Sequence, residues 1–153
     1  MTTKTKVGIR VMIRRDLRDV LWIEQASYPI PWSEEQFLLI LRQRHVIGLV
    51  AEIGEQVVGF VIYELIEGQL FISNLAVHPH FYRQGIGTQI IDRLKSKLAG
   101  PSKRKRLTMF VNECNVKAQL FLRDNRFRCT KQVKNLYADL GEDGYRFTFK
   151  ASE

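Results

Sequence analysis

In the run Val77 to Ile91, VHPHFYRQGIGTQII, Gly85 and Gly87 stand one residue apart between an apolar strand-like stretch and residues with helical apolar spacing. The first turn of a helix carries N–H groups without intrahelical partners and about half a positive charge, and glycine there lets an anion approach the backbone. Arg83, Gln84, Gly85, Ile86, Gly87 and Thr88 therefore form a candidate phosphate cradle. The same glycines would also serve an ordinary tight turn from strand to helix. A dinucleotide fingerprint needs a third glycine where Ile90 stands, and a Walker loop needs a following Gly-Lys-Ser/Thr, so neither pattern fits. His78 and His80 flank Pro79 with no cysteine or acidic partner beside them, and no metal site is expected. The basic run KRKR at 103–106 reads first as a solvated turn, with attraction to a phosphate or to RNA as its functional alternative. Basic residues interleaved with aromatics, as in single-strand binders, are not apparent along the chain.

These residues need elements to hold them. Residues 7–14 alternate as an edge strand would, and the next helix brings Leu17, Val20 and Leu21 to one face until Pro29 and Pro31 break it. Ser33 with Gln36 three residues on is a capping box for a second helix bearing Phe37, Ile40 and Leu41. The runs HVIGLVAEI, QVVGFVIYELI and QLFISNLAV, separated by GEQ and EGQ, predict an antiparallel meander. Ile86, Ile90, Ile91, Leu94 and Leu98 predict the helix after the glycines, ended by Gly100-Pro101. RLTMFV is a strand, Asn115 caps a helix to about Asp124, and two strands close the chain around the turn GEDG. The order β-α-α-β-β-β-α-β-α-β-β, with a parallel crossover at 69–111, predicts an α+β fold with a mixed, mostly antiparallel sheet.

The chain of 153 residues, 45% hydrophobic, suits a single domain over 1–153. Two cysteines without metal-ligand spacing, Cys114 and Cys129, are expected as buried free thiols in a reducing, cytoplasmic compartment. No apolar run has membrane-spanning length, and MTTKTK is expected to be a frayed leader. A formal net charge of +8 points to anionic partners.

The run SNLAVHPHFYRQGIGTQII resembles the acetyl-CoA motif of the Gcn5-related N-acetyltransferases, [Q/R]-x-x-G-x-[G/A] after a strand and a Val-x-Pro turn, with Gly85 and Gly87 on its glycines. IEQASYPIPWSEEQF and NVKAQLFLRDNRF resemble the first helices and the Asn-x-x-Ala helix of the bacterial ribosomal-protein-alanine acetyltransferases. The resemblance runs from Ile9 to about Tyr145. It implies a six- to seven-stranded sheet with a splayed parallel pair and about four helices. It also implies acetyl-CoA as donor, with Arg83 through Thr88 on the pyrophosphate, Asn115 and the backbone of Leu75, Ala76 and Val77 on the pantetheine arm, and no metal. Pro31, Trp32 and Tyr137 would flank the acceptor, a peptide or protein amine such as a ribosomal-protein N-terminus.

Four positions depart from that pattern. Tyr82 replaces the first motif residue and Arg126 the glycine before a phenylalanine, where a left-handed residue is expected at 126 or shifted to Asn125. Phe110 and Leu122 stand where the family carries its glutamate base and tyrosine acid, and neither side chain moves a proton. An α-amine near pKa 8 is still about a fifth neutral at cytoplasmic pH, so positioning alone supports slow transfer. Tyr137 is the favoured catalytic candidate. Water on the strand near Ser73 and Asn74 is another, and Glu24, expected as a solvated helix residue, a weaker one. The expected activity is acetyl-CoA-dependent N-acetylation. The alternatives are a catalytically idle acyl-CoA-binding sensor or scaffold and, behind it, an RNA- or ribosome-binding platform; nucleic acid is otherwise expected only through ribosome proximity. No residue pattern specifies an oligomeric state.

Overall fold

The computed structural model describes residues 4–152. Its elements follow the predicted order: β1 (Gly8–Val11), α1 (Leu17–Ser27), α2 (Glu34–Leu41), β2 (Val46–Ile53), β3 (Gln56–Ile66), β4 (Gln69–Val77), α3 (Ile86–Ser96), β5 (Arg106–Asn112), α4 (Val116–Asp124), β6 (Arg128–Tyr137) and β7 (Glu142–Lys150). Short 3-10 turns occupy Arg14–Asp16, Pro79–Phe81 and Ala138–Leu140. The strands hydrogen-bond in the order β1-β2-β3-β4-β5-β7-β6, a seven-stranded mixed sheet. The parallel ladder of β4 with β5 carries four pairs, Gln69↔Arg106 to Ile72↔Met109, leaving Ser73–Val77 of β4 and Phe110–Asn112 of β5 outside it. That is the splay the family resemblance implies.

Two compact units make up the chain. The first comprises residues 4–65 and 73–93, the second residues 66–72 and 94–152. In the first, α1 and α2 pack on the meander through Leu17, Val20, Ile23, Phe37, Val50, Phe60 and Ile62. Apolar residues recurring every three to four positions face one way, and fully burying a large one stabilises by about 1.5–3 kcal/mol. Ile86, Ile90 and Ile91 of α3 are buried as their spacing predicts. β1 stops at Val11, short of the expected residue 14, because the Ile13 N–H donates to the Asp16 carboxylate (2.8 Å) instead of a ladder. Arg10 grips the same carboxylate at 2.8 and 2.9 Å, which holds that acid below its ordinary range. The Ser33–Gln36 capping box is present as expected.

In the second unit, β7 begins at Glu142 rather than after GEDG. The turn lies earlier because Gly141 is left-handed (φ 65°), and β5 then supplies ladder partners as far as Asn112↔Gly144. Gly144 is closely covered: a Cβ there would lie 2.5 Å from Leu136 Cδ2 and 3.0 Å from Tyr137 Cε2, so the Leu136 side chain would have to move aside. The KRKR run is less solvated than expected. Lys105 Nζ donates to the carbonyls of Leu98 (3.3 Å) and Gly100 (2.9 Å), capping the chain after α3, and Arg104 Nε donates to Ile66 O (3.0 Å). Both cysteines are exposed, against the expectation of buried thiols, because neither lies on an apolar face: Cys114 precedes α4 and Cys129 sits on the outer strand β6.

Arg126 itself takes the left-handed conformation (φ 70°), while Asn125 stays at φ −93°. A side chain there costs about 1 kcal/mol relative to glycine. Arg126→Gly is expected to raise the urea midpoint by the equivalent of about 1 kcal/mol with the m-value unchanged, measured by circular dichroism.

Candidate functional site

The loop before α3 is built from two left-handed residues, Arg83 (φ 63°) and Gly85 (φ 75°). A Cβ at Gly85 would meet only Lys4 Cγ at 3.6 Å, so backbone angle rather than crowding calls for glycine. The first rung of the helix runs from Gln89 N–H to Gly85 O (3.1 Å), so the amides of Ile86, Gly87 and Thr88 stand ahead of the ladder. A curled backbone leading into a helix N-terminus is the geometry that receives phosphate oxygens.

The side chain of Gln84 is already engaged. Its Oε1 accepts from Thr5 Oγ1 (2.7 Å) and its carbonyl from Thr5 N–H (2.9 Å). Gln89 Nε2 donates to Thr5 O (2.6 Å), and its Oε1 accepts from Val7 N–H (3.1 Å). Thr5, expected as part of a frayed leader, and Val7, expected on the edge strand, are thus bonded to the loop and to α3; the first three residues of that leader lie outside the described residues. No local pattern shows this pairing, because the partners are about 80 positions apart.

In the same unit, α1 grips β4. The Tyr28 hydroxyl donates to the Leu75 carbonyl. Glu24, expected in solvent, is 1% exposed. Its Oε1 accepts from Asn74 Nδ2 (2.8 Å) and its Oε2 from Trp32 N–H (2.9 Å). Burial raises its pKa above the ordinary 4.5, and the two hydrogen bonds pull partly the other way. One carboxylate thereby ties the Pro31–Trp32 segment to the strand that carries Leu75, Ala76 and Val77. The half-buried Trp32 ring meets Phe37 edge-on at 5.1 Å. Trp22, half exposed, stacks on His78 at 4.5 Å, a pairing the sequence did not suggest.

The second unit holds the remaining candidates. Asn115 Oδ1 accepts from Ala118 N–H (3.1 Å) as the cap of α4, and this use of the oxygen leaves its NH₂ group to donate elsewhere. Tyr137 ends β6 half-buried, and burial raises its pKa, so the phenol stays protonated at neutral pH. Phe110 is half-buried and tilted against Phe71 with ring centroids 5.7 Å apart. Leu122 is 1% exposed, a core residue of α4. The Cys114 thiol donates to Glu142 (2.5 Å) and is pushed up to about 11, which keeps it protonated and a poor nucleophile. Among the described residues no group of three or more His, Cys, Asp or Glu could hold a metal ion, and no helix is long and apolar enough to cross a membrane.

The sequence profile of the Acetyltransferase (GNAT) family matches residues 17–126. A Bacillus subtilis protein provisionally named a ribosomal protein bS18-alanine N-acetyltransferase is 28% identical over 141 residues, covering 92% of this chain and 93% of that protein. The crystal structure of the Escherichia coli ribosomal-protein-S18-alanine N-acetyltransferase superposes with a TM-score of 0.81 at 23% identity, covering 97% of this chain and 96% of the other. Arabidopsis thaliana NAA60, solved in complex with acetyl-CoA, gives 0.83 at 18% identity over 95% and 99%. These likenesses establish the same mixed fold.

Glu24 gives a pH signature. Its folded pKa lies above the unfolded one, so its stabilising contribution is fully present below about 4.5 and is lost as the pH rises through the raised value. Glu24→Gln is expected to flatten that part of the stability profile, measured by urea unfolding at a series of pH values between 4 and 8.

Proposed function

Because the chain belongs to the acetyltransferase (GNAT) family, we propose that it transfers the acetyl group of acetyl-CoA to the α-amine of a protein N-terminus, such as that of a ribosomal protein. The observation that carries this reading is the loop itself: left-handed turns at Arg83 and Gly85 that deliver the amides of Ile86, Gly87 and Thr88 ahead of the α3 ladder. These residues fit a pyrophosphate. Gln84 contributes its backbone and, with its Oε1 held by Thr5 Oγ1, an NH₂ group that remains a donor.

The backbone edge at Leu75, Ala76 and Val77 lies outside the ladder with β5 and suits an extended pantetheine arm. The Leu75 carbonyl already accepts from Tyr28, which leaves it one lone pair. The amide nitrogen of Asn115 donates to the same arm. Pro31, Trp32 and Tyr137 flank the acceptor. In the reaction the amine nitrogen bonds to the carbonyl carbon, the carbon–sulfur bond breaks, the amine loses a proton to water, and the departing sulfur gains one. Tyr137, protonated at neutral pH, suits the last step. Metal is not required by this chemistry. The whole chain acts as one module, and the cytoplasm is where its donor and acceptor meet.

The buried Leu122 and the half-buried Phe110, at the places where relatives are expected to carry proton carriers, favour a second reading, an acyl-CoA-binding module without turnover. Thiol release separates the two. A peptide with a free N-terminal alanine is expected to accelerate CoA release from acetyl-CoA, and the same peptide N-acetylated beforehand is not. Binding of acetyl-CoA without amine-dependent release would sink the enzyme reading. Gly87→Glu is expected to weaken acetyl-CoA binding at least about tenfold in either case, the effect of about 1.4 kcal/mol of repulsion. Since the amine must be neutral to attack, kcat/KM is expected to rise with pH and level off near about pH 8.

Tyr137→Phe is expected to lower kcat by about 10²-fold while leaving the acetyl-CoA dissociation constant unchanged, measured by stopped assay and calorimetry. An unchanged kcat would remove Tyr137 from the chemistry.

A further inference from the structure

The second unit carries a groove of about 870 Å³ that the acetyl transfer does not account for. Strand register lays it out. Arg106, Thr108 and Phe110 of β5 pair with Lys150, Thr148 and Arg146 of β7, while Gln69 and Phe71 of β4 pair with Arg106 and Thr108, and Arg128 of β6 pairs with Thr148. Alternate residues of a strand share a face. The intervening Leu107, Val111 and Phe147 are buried on the opposite one.

Five cations line this groove, Arg106, Arg126, Arg128, Arg146 and Lys150, and no acidic residue does. Among the described residues none of the five makes an ion pair, unlike Arg10, which meets Asp16 and Glu52. Arg146 Nε is spent on Thr130 Oγ1 (2.9 Å), which fixes the direction of its guanidinium. Arg126 reaches the groove from its left-handed backbone, where glycine would cost less. Between the cations lie the paired rings of Phe71 and Phe110, half-buried with their centroids 5.7 Å apart.

We propose that this groove binds single-stranded RNA, with the arginines on phosphates and the two phenylalanines stacked on bases. Uncompensated charge on one concave face attracts a polyanion, and guanidinium forks match phosphate oxygens. An acidic peptide would use the charges but leave the aromatic pair without a role, whereas a nucleic acid uses both. A sheet face with adjacent aromatic residues flanked by cations is a general solution for unpaired bases. Basic residues interleaved with aromatics are not apparent in the sequence because the contributing residues come from four strands and meet only through the register.

The test is fluorescence anisotropy of the full chain with a 5′-labelled 12-nucleotide oligouridylate at 50 and 200 mM NaCl. Binding is expected to weaken with salt, with a log–log slope of about −0.7 for each phosphate contacted. The double variant Arg128→Ser/Arg146→Ser is expected to bind at least about tenfold more weakly, with a slope shallower by about 1.4, since two contacts are gone. Phe71→Ser is expected to lose affinity at unchanged slope, the mark of stacking rather than charge. Acetyl-CoA binding by each variant, unchanged from the parent, shows that the fold is intact and keeps this result independent of the enzyme reading. Arg128→Ser alone, at an exposed site, serves if the double variant does not fold. Three outcomes would overturn the proposal: no binding at 50 mM NaCl, binding indifferent to these variants, or equal affinity for a 12-residue polyglutamate, which would make the groove an acidic-peptide surface.

Discussion

One buried carboxylate organises the first unit. Glu24 accepts from the side chain of Asn74, on a strand, and from the backbone of Trp32, in the segment between two helices. Removing either donor would leave a carboxyl oxygen unsatisfied in a site with almost no access to water, which is costly. The arrangement therefore constrains three elements at once: α1, the Pro31–Trp32 segment and β4. Tyr28, about one turn further along, adds the hydroxyl on Leu75. In the proposed reaction Glu24 is a positioning residue, since both its oxygens are occupied by Asn74 and Trp32.

The loop before α3 depends on a second set of ties. Two glutamines, Gln84 and Gln89, bond Thr5 and Val7, so residues near the start of the described chain hold the loop. In the proposed function the cradle depends on backbone conformation more than on the first motif side chain, which is Tyr82 here. Arg83 is held left-handed without being glycine. Such strain persists where the surrounding contacts over-determine a turn.

Much of this was legible in the sequence. Element order, the meander, the Ser33 box and the α3 stripe follow from short-range periodicity and capping, which are written within a few residues of each other. What periodicity cannot show is a partner far along the chain. Glu24 looks like a solvated helix residue until Asn74, 50 positions away, comes beside it. Gly144 looks like part of a turn until Leu136 and Tyr137 cross it closely. Cys114 and Cys129 show the opposite failure: the type is commonly buried, yet the strand edge and the helix cap that hold these two leave them in water. The groove cations were each visible, but their common face exists only in the register.

The positions that lost their expected proton carriers have physical occupations of their own. Leu122 closes the buried side of α4, where a phenol would need a hydrogen-bond partner. Phe110 pairs with Phe71 on the groove face of the sheet, across the register from Arg146. An apolar ring there moves no proton, and the proposed transfer leaves proton removal to solvent. That is affordable for an α-amine, a substantial fraction of which is neutral, and far less so for a lysine, which is about a thousandfold more protonated at the same pH. Under the proposed function Phe110 and Leu122 narrow the acceptor by chemistry rather than by fit. In the proposed reaction, transfer without a placed base favours amines that need little help to lose their proton.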